Sequence, residues 1–170
     1  MEKTQNRLAL IFLAGIGAVL IPFWIRKPPL KDWTIVFLLA GFLSGMLDLF
    51  VTANKLIQYP VQLFGRKINV SLLFDYLLFP SLVVFYNQVS YPSRFWGALA
   101  EAFYFSIPMT IFEHWLEGHT KLIEWKKWNW FYTFITVTLM LWLGRGFMAV
   151  IRKFSRFTRQ PKKIIIKVRG

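Results

Sequence analysis

The sequence predicts an all-α fold: a polytopic helical membrane protein of about five transmembrane helices. Composition is the first of three observations behind that prediction. The chain is 56% hydrophobic and 19% aromatic, has a mean hydropathy of +0.45, and holds only 17% charged residues, where a soluble domain carries roughly 25%. Second, five apolar runs approach the roughly 17 to 25 residues that a helix needs to cross the hydrocarbon core. Third, Trp24, Trp33, Trp96, Trp115, Trp125, Trp128 and Trp130 fall at or beside the ends of those runs, and only Trp142 lies deep. Indole rings favour that boundary because the ring is buried there while its N–H stays wet.

The runs are placed at 8–25, 33–53, 68–91, 95–116 and 128–151. The first exceeds the h-region of a signal peptide and has no small-residue cleavage box before "RKPPLKDW", so it is expected as a retained helix. The two prolines of "RKPPLKD" and the polar break "YPSR" read as turns. The longer connection Asn54 to Lys67, with Leu, Ile, Val and Phe between basic ends, reads as a segment lying at the interface. Together 1–151 form one helical membrane domain and 152–170 a basic tail. There is no internal repeat, and an odd number of spans argues against inverted repeats.

The formal charge is +13, with 21 Lys and Arg against 8 Asp and Glu. Nearly all the basic residues sit between the apolar runs, and no nucleic-acid motif accompanies them, so anionic headgroups account for the charge and nucleic acid is not expected as a partner. Five spans place twelve basic residues on the side of the tail and eight on the other. The positive-inside rule then predicts an outside N-terminus and a cytoplasmic C-terminus, in a multi-pass cell-membrane protein. In the tail, Arg152, Lys153, Arg156, Arg159, Lys162 and Lys163 read as lipid-headgroup contacts beside Phe154 and Phe157. Cysteine is absent, which excludes disulfides, thiolate metal sites and cysteine nucleophiles.

Carboxylates inside spans are costly, at about 2.5 to 3.5 kcal/mol each at the helix centre on the insertion scale, so they are expected to face the bundle. At about 1.5 Å per residue, Asp48, Asp75, Glu113 and His114 share one depth near one side of the membrane. This candidate polar layer reads either as boundary residues reaching water or as a protonatable or cation-binding site. Glu101 and Arg145 share the opposite side and are expected as an ion pair between adjacent helices. Gly144 and Gly146 flank Arg145 and would admit a close neighbour.

"HWLEGH" places His114 and His119 five apart rather than four, which misses the zincin spacing, and Gly118 is expected to end the helix, so no metal site is expected. No nucleophile–base set is recognisable, so neither enzymatic activity nor a cofactor is expected. Gly41 and Gly45 have GxxxG spacing and read as helix packing, continued by Asp48 and Thr52. Ala102, Ser106, Thr110 and Glu113 form a similar stripe on the fourth span, which suggests that the second and fourth spans face the interior and each other. Pro80 and Pro108 are expected to kink their helices.

The segments "IRKPPLKDW", "LLFDYLLFPSLVVFYNQ", "IPMTIFEHWLEGHTKLI" and "KKWNWFYTF" with "RGFMAVI" resemble an uncharacterised family of small multi-pass membrane proteins from spore-forming Gram-positive bacteria, over roughly Ile25 to Arg152. The resemblance implies a bacterial cytoplasmic membrane location and marks Asp75, Glu113, Lys121, Trp128, Trp130 and Arg145 as positions that recur in the family. It transfers no catalytic role. Two functions follow as expectations. One is a non-enzymatic membrane assembly or interaction component, with lipids and a second copy or another membrane protein as partners. The alternative is a small oligomeric channel or a proton- or cation-coupled transporter using the intramembrane carboxylates.

Overall fold

The computed structural model describes residues 11, 15–17, 19–22, 26–60, 62–63 and 68–158. It is mostly helical, and among the described residues four helices are long and apolar enough to cross a membrane. The first expected span lies in part outside the described residues, although 15–17 and 19–22 are helical.

Helix α1, Leu30–Ala53, starts directly after Pro29, whose missing N–H costs nothing at a helix entry. It ends in a Schellman turn: Leu56 N–H bonds the Val51 carbonyl at 3.0 Å and Lys55 N–H bonds Thr52 at 2.9 Å. Lys55 takes the left-handed conformation that this turn requires, at φ 54°. The chain is thereby folded back, and Ile57–Gln58 (β1) crosses the end of the bundle.

Two further short strands, Gln62–Leu63 (β2) and Ile68–Asn69 (β3), pair antiparallel and lead into α2. Helix α2 comprises Val70–Leu73, a π-helical turn over Phe74–Leu78, and Phe79–Val89. Pro80 explains the widened turn: it has no N–H for the Tyr76 carbonyl and its ring would clash with that group. The sequence suggested a kink at Pro80; the structure has a π turn just before it, and Asp75 lies within that turn.

Helix α3, Phe95–His119, continues through Pro108. It does not stop at Gly118 as the sequence suggested. Thr120 ends it, with both N–H and hydroxyl bonded to the Leu116 carbonyl at 2.9 and 2.6 Å. After Glu124–Trp125 (β4), Asn129 caps α4, Trp130–Thr158, its Oδ1 accepting the N–H groups of Phe131 and Tyr132 at 3.0 and 3.1 Å. Helix α4 runs past the expected boundary at 151, so Arg152, Lys153 and Arg156 belong to it rather than to a separate tail.

Expected mutual packing of the second and fourth spans is not what the bundle uses. Helix α1 packs mainly on α2, and α3 on α4, while α2 and α4 also touch. The Gly41–Gly45 stripe meets α2: a Cβ at Gly41 would lie 3.5 Å from Pro80 Cγ, and one at Gly45 would strike the Tyr76 phenol. Gly144 likewise lies against Val83 of α2, whereas Gly146 faces open space. Between the two ends the interior is built on Val36, Phe79, Val83, Val84, Leu141 and Met148, with Ser81, Ser106 and Thr138 buried among them.

The connection at 54–60 is not simply an interfacial segment. Strand β1 pairs antiparallel with β4, Ile57 opposite Trp125 and Gln58 opposite Glu124, so the α1–α2 and α3–α4 connections form one cap. Lys126 and Lys127 N–H groups both donate to the Leu56 carbonyl, at 2.9 and 3.1 Å. Ile57, Leu122 and Ile123 are buried beneath the cap.

Candidate functional site

Beneath that cap lies a cavity of about 80 Å³ lined by Asp48, Asp75 and Glu113, each from a different helix, together with Ser44, Tyr59, Thr133 and Thr136. Its apolar walls include Phe74, Phe79, Trp128 and Met140. No Lys, Arg or His lines it.

Asp75 is held by α1. Because Gly41 and Gly45 let the π turn of α2 approach closely, Ser44 between them reaches Asp75, and its Oγ donates to Oδ1 at 2.5 Å. Both residues are buried. Asp48, one turn further along α1, is held from the cap: Tyr59 Oη donates to Asp48 Oδ1 at 2.8 Å. Glu113 is held by α4. Trp128 Nε1 donates to Thr133 Oγ1 at 2.9 Å, and Thr133 donates onward to Glu113 Oε1 at 3.1 Å. The Asn129 cap positions both, since it starts α4 between Trp128 and Thr133. The buried Trp125 N–H of β4 approaches the Glu113 carboxyl group without reaching hydrogen-bond geometry.

Tyr59 reports on the charge around it. Burial, and then the facing Asp48 carboxylate, push its phenol above the ordinary tyrosine range, and Asp75 and Glu113 add to the same shift. All three carboxyl groups therefore act on one hydroxyl, which stays protonated and donating. Nothing in the sequence singled out Tyr59, because its role depends on the chain reversal at Lys55.

His114 does not join the layer. Neighbouring helix positions are about 100° apart, and with Glu113 turned inward His114 is exposed and stacks on Trp125 at 5.4 Å. His119 stacks on Trp115 outside the cavity. Among the described residues no group of three His, Asp or Glu stands close enough to hold a metal ion.

At the other end of the bundle, Glu101 and Arg145 do not form the expected ion pair. Arg145 Nη2 donates to the Ser90 and Tyr91 carbonyls at 3.0 and 3.3 Å, where α2 ends and its carbonyls lack helical partners. Glu101 Oε1 instead accepts the Ser93 hydroxyl at 2.5 Å. Among the described residues, the ion pair at this end is Asp32 with Arg152, Oδ2 to Nε at 2.8 Å, with only 10% and 19% of the side chains exposed. Arg152 also lies over the Tyr91 ring, 4.3 Å from its centroid. It thus joins the start of α1 to the end of α4 and is not a free headgroup contact. Lys153 is exposed, the side chain of Arg156 is not described, and Arg159, Lys162 and Lys163 lie outside the described residues.

No protein-family model, curated protein or solved structure matches this chain.

Proposed function

We propose that this chain is a small membrane carrier of protons, with Asp48, Asp75 and Glu113 as its loading site. One observation carries the reading: three carboxyl groups from three helices surround one small cavity whose lining contains no basic side chain. Asp75 is buried and Asp48 and Glu113 are half-buried, and carboxylate charge so placed needs compensating positive charge from elsewhere. The volume suits two or three waters, at about 30 Å³ of liquid per water. The hydroxyls of Ser44, Thr133 and Thr136 supply neutral oxygens to such waters, while the spread of the carboxyl groups disfavours a metal ion.

The cavity lies at one end, covered by Tyr59 and the β1–β4 cap, and the packed interior around Val36, Val83 and Leu141 separates it from the Arg145 end. A carboxyl cavity closed off from the far end favours a carrier over an open channel, and favours both over a purely architectural role. With the positive-inside orientation, in a bacterial cytoplasmic membrane, the cavity faces outward and a second copy completes the pathway.

Proteoliposomes loaded with a pH-sensitive dye, under imposed proton, sodium and potassium gradients, test the reading. Flux is expected from the parent and is lost in Asp75→Asn and Glu113→Gln. Absence of parental flux under every gradient, or unchanged flux in both variants, sinks it.

A further inference from the structure

A cleft of about 500 Å³ lies between α3 and α4, at the end opposite the carboxyl cavity. Tyr86, Phe95, Leu99, Trp142, Arg145 and Gly146 line it. We propose that this cleft binds one anionic phospholipid, its phosphate group on Arg145 and the upper part of an acyl chain against Leu99 and Trp142.

Depth is the first argument. Arg145 bonds the carbonyls of Ser90 and Tyr91, in the turn that joins α2 to α3. It therefore lies at the level where these two helices leave the hydrocarbon, which is where phosphates reside. Trp142, one turn further toward the membrane centre, spends its indole N–H on the Leu99 carbonyl at 3.3 Å, leaving its ring as an apolar wall.

Charge is the second argument. Arg145 is half-buried, and among the described residues only its Nη2 makes hydrogen bonds, both to neutral carbonyls. Nε and Nη1 remain for a planar, bidentate contact with phosphate oxygens. Arg152, two turns along the same helix, is in electrostatic range as well, its charge paired with Asp32. Glu101 is also in range and opposes an anion there; its Oε1 accepts the Ser93 hydroxyl and its Oε2 is buried without a hydrogen-bond partner among the described residues, so the phosphate contact falls to Arg145 alone. Access is the third: Gly146 is exposed, and a Cβ built there meets no atom within 4 Å, so the cleft opens toward lipid rather than protein.

Native mass spectrometry of the full chain in detergent tests the site, using phosphatidylglycerol and phosphatidylcholine of matched chains, with inorganic phosphate as a competitor. Phosphatidylglycerol is expected to stay bound under activation that strips phosphatidylcholine, with retention falling about tenfold, or roughly 1.4 kcal/mol, in Arg145→Gln. Gly146→Leu fills the opening without touching the core and is expected to do the same, which keeps the test valid if the arginine variant misfolds. Equal retention of the two lipids, or phosphatidylglycerol retention unchanged in Gly146→Leu, overturns the proposal. Displacement of the lipid by inorganic phosphate also overturns it, since it would mark a small-anion site.

Discussion

Ser44 of α1 lies 2.5 Å from Asp75 of α2, and the contact joins the one widened turn of α2 to the glycine stripe of α1. Removing the hydroxyl leaves a buried carboxyl group without its donor. Ser44→Ala is expected to cost about 1 to 3 kcal/mol. Thermal unfolding in detergent measures it, and a cycle with Asp75→Asn should show strong non-additivity. Additive effects would mean that the two side chains are not coupled.

Tyr59 predicts a pH dependence whose sign follows from its raised pKa. In the unfolded chain the phenol ionises near pH 10, while in the folded chain it holds its proton to higher pH. The stability it contributes is thus fully present below about pH 10 and is lost as pH rises beyond that value. Tyr59→Phe removes this loss. Unfolding of parent and variant, followed from pH 7 to about 11, should show a parental advantage that shrinks above the phenol's ordinary range. A constant difference across the range would refute it.

Gly144 and Gly146 flank the same arginine yet differ in surroundings. A Cβ at Gly144 would stand 2.9 Å from Val83 Cγ1, and Val83 is wholly buried and cannot yield. Gly144→Ala is expected to destabilise by about 1 to 3 kcal/mol, as over-packing does. Gly146→Ala meets nothing and should be neutral or stabilise by up to about 1 kcal/mol through helix propensity. Equal effects in thermal unfolding would contradict the α2–α4 packing.

The Asp32–Arg152 pair closes the bundle between its first and last described membrane helices. Asp32→Asn or Arg152→Leu alone should cost about 3 kcal/mol, because each leaves a mostly buried charge unpaired. Asp32→Leu with Arg152→Leu together should recover part of that loss. If the double variant is as unstable as the sum of the single ones, the pair is not acting as a unit.

Lys55 occupies a left-handed position that glycine fills without strain. Lys55→Gly is expected to raise stability by about 0.5 to 1 kcal/mol. A lowered unfolding temperature would show that the Lys55 side chain contributes more than its backbone strain costs.

The sequence by itself determined the apolar spans described here and the depth of their charged residues. Both are local quantities: span length follows from an unbroken apolar run, and depth from a fixed rise per residue. That is why Asp48, Asp75 and Glu113 could be assigned to one layer, and the structure places all three around one cavity. Only the tertiary structure decided which residues at a given depth meet. Membrane helices are apolar toward lipid and toward one another, so hydrophobic periodicity does not mark the inward face, and small-residue stripes do not name their partner. The Gly41–Gly45 stripe thus found α2 rather than α3, and His114 turned away from Glu113. Arg145 took backbone carbonyls in place of Glu101, while Asp32 took Arg152. Tyr59 reached Asp48 only because a left-handed turn at Lys55 and a two-residue ladder with β4 carry its segment across the bundle. These contacts depend on the azimuth of each helix and the path of the connecting chain, which arise only when the helices pack.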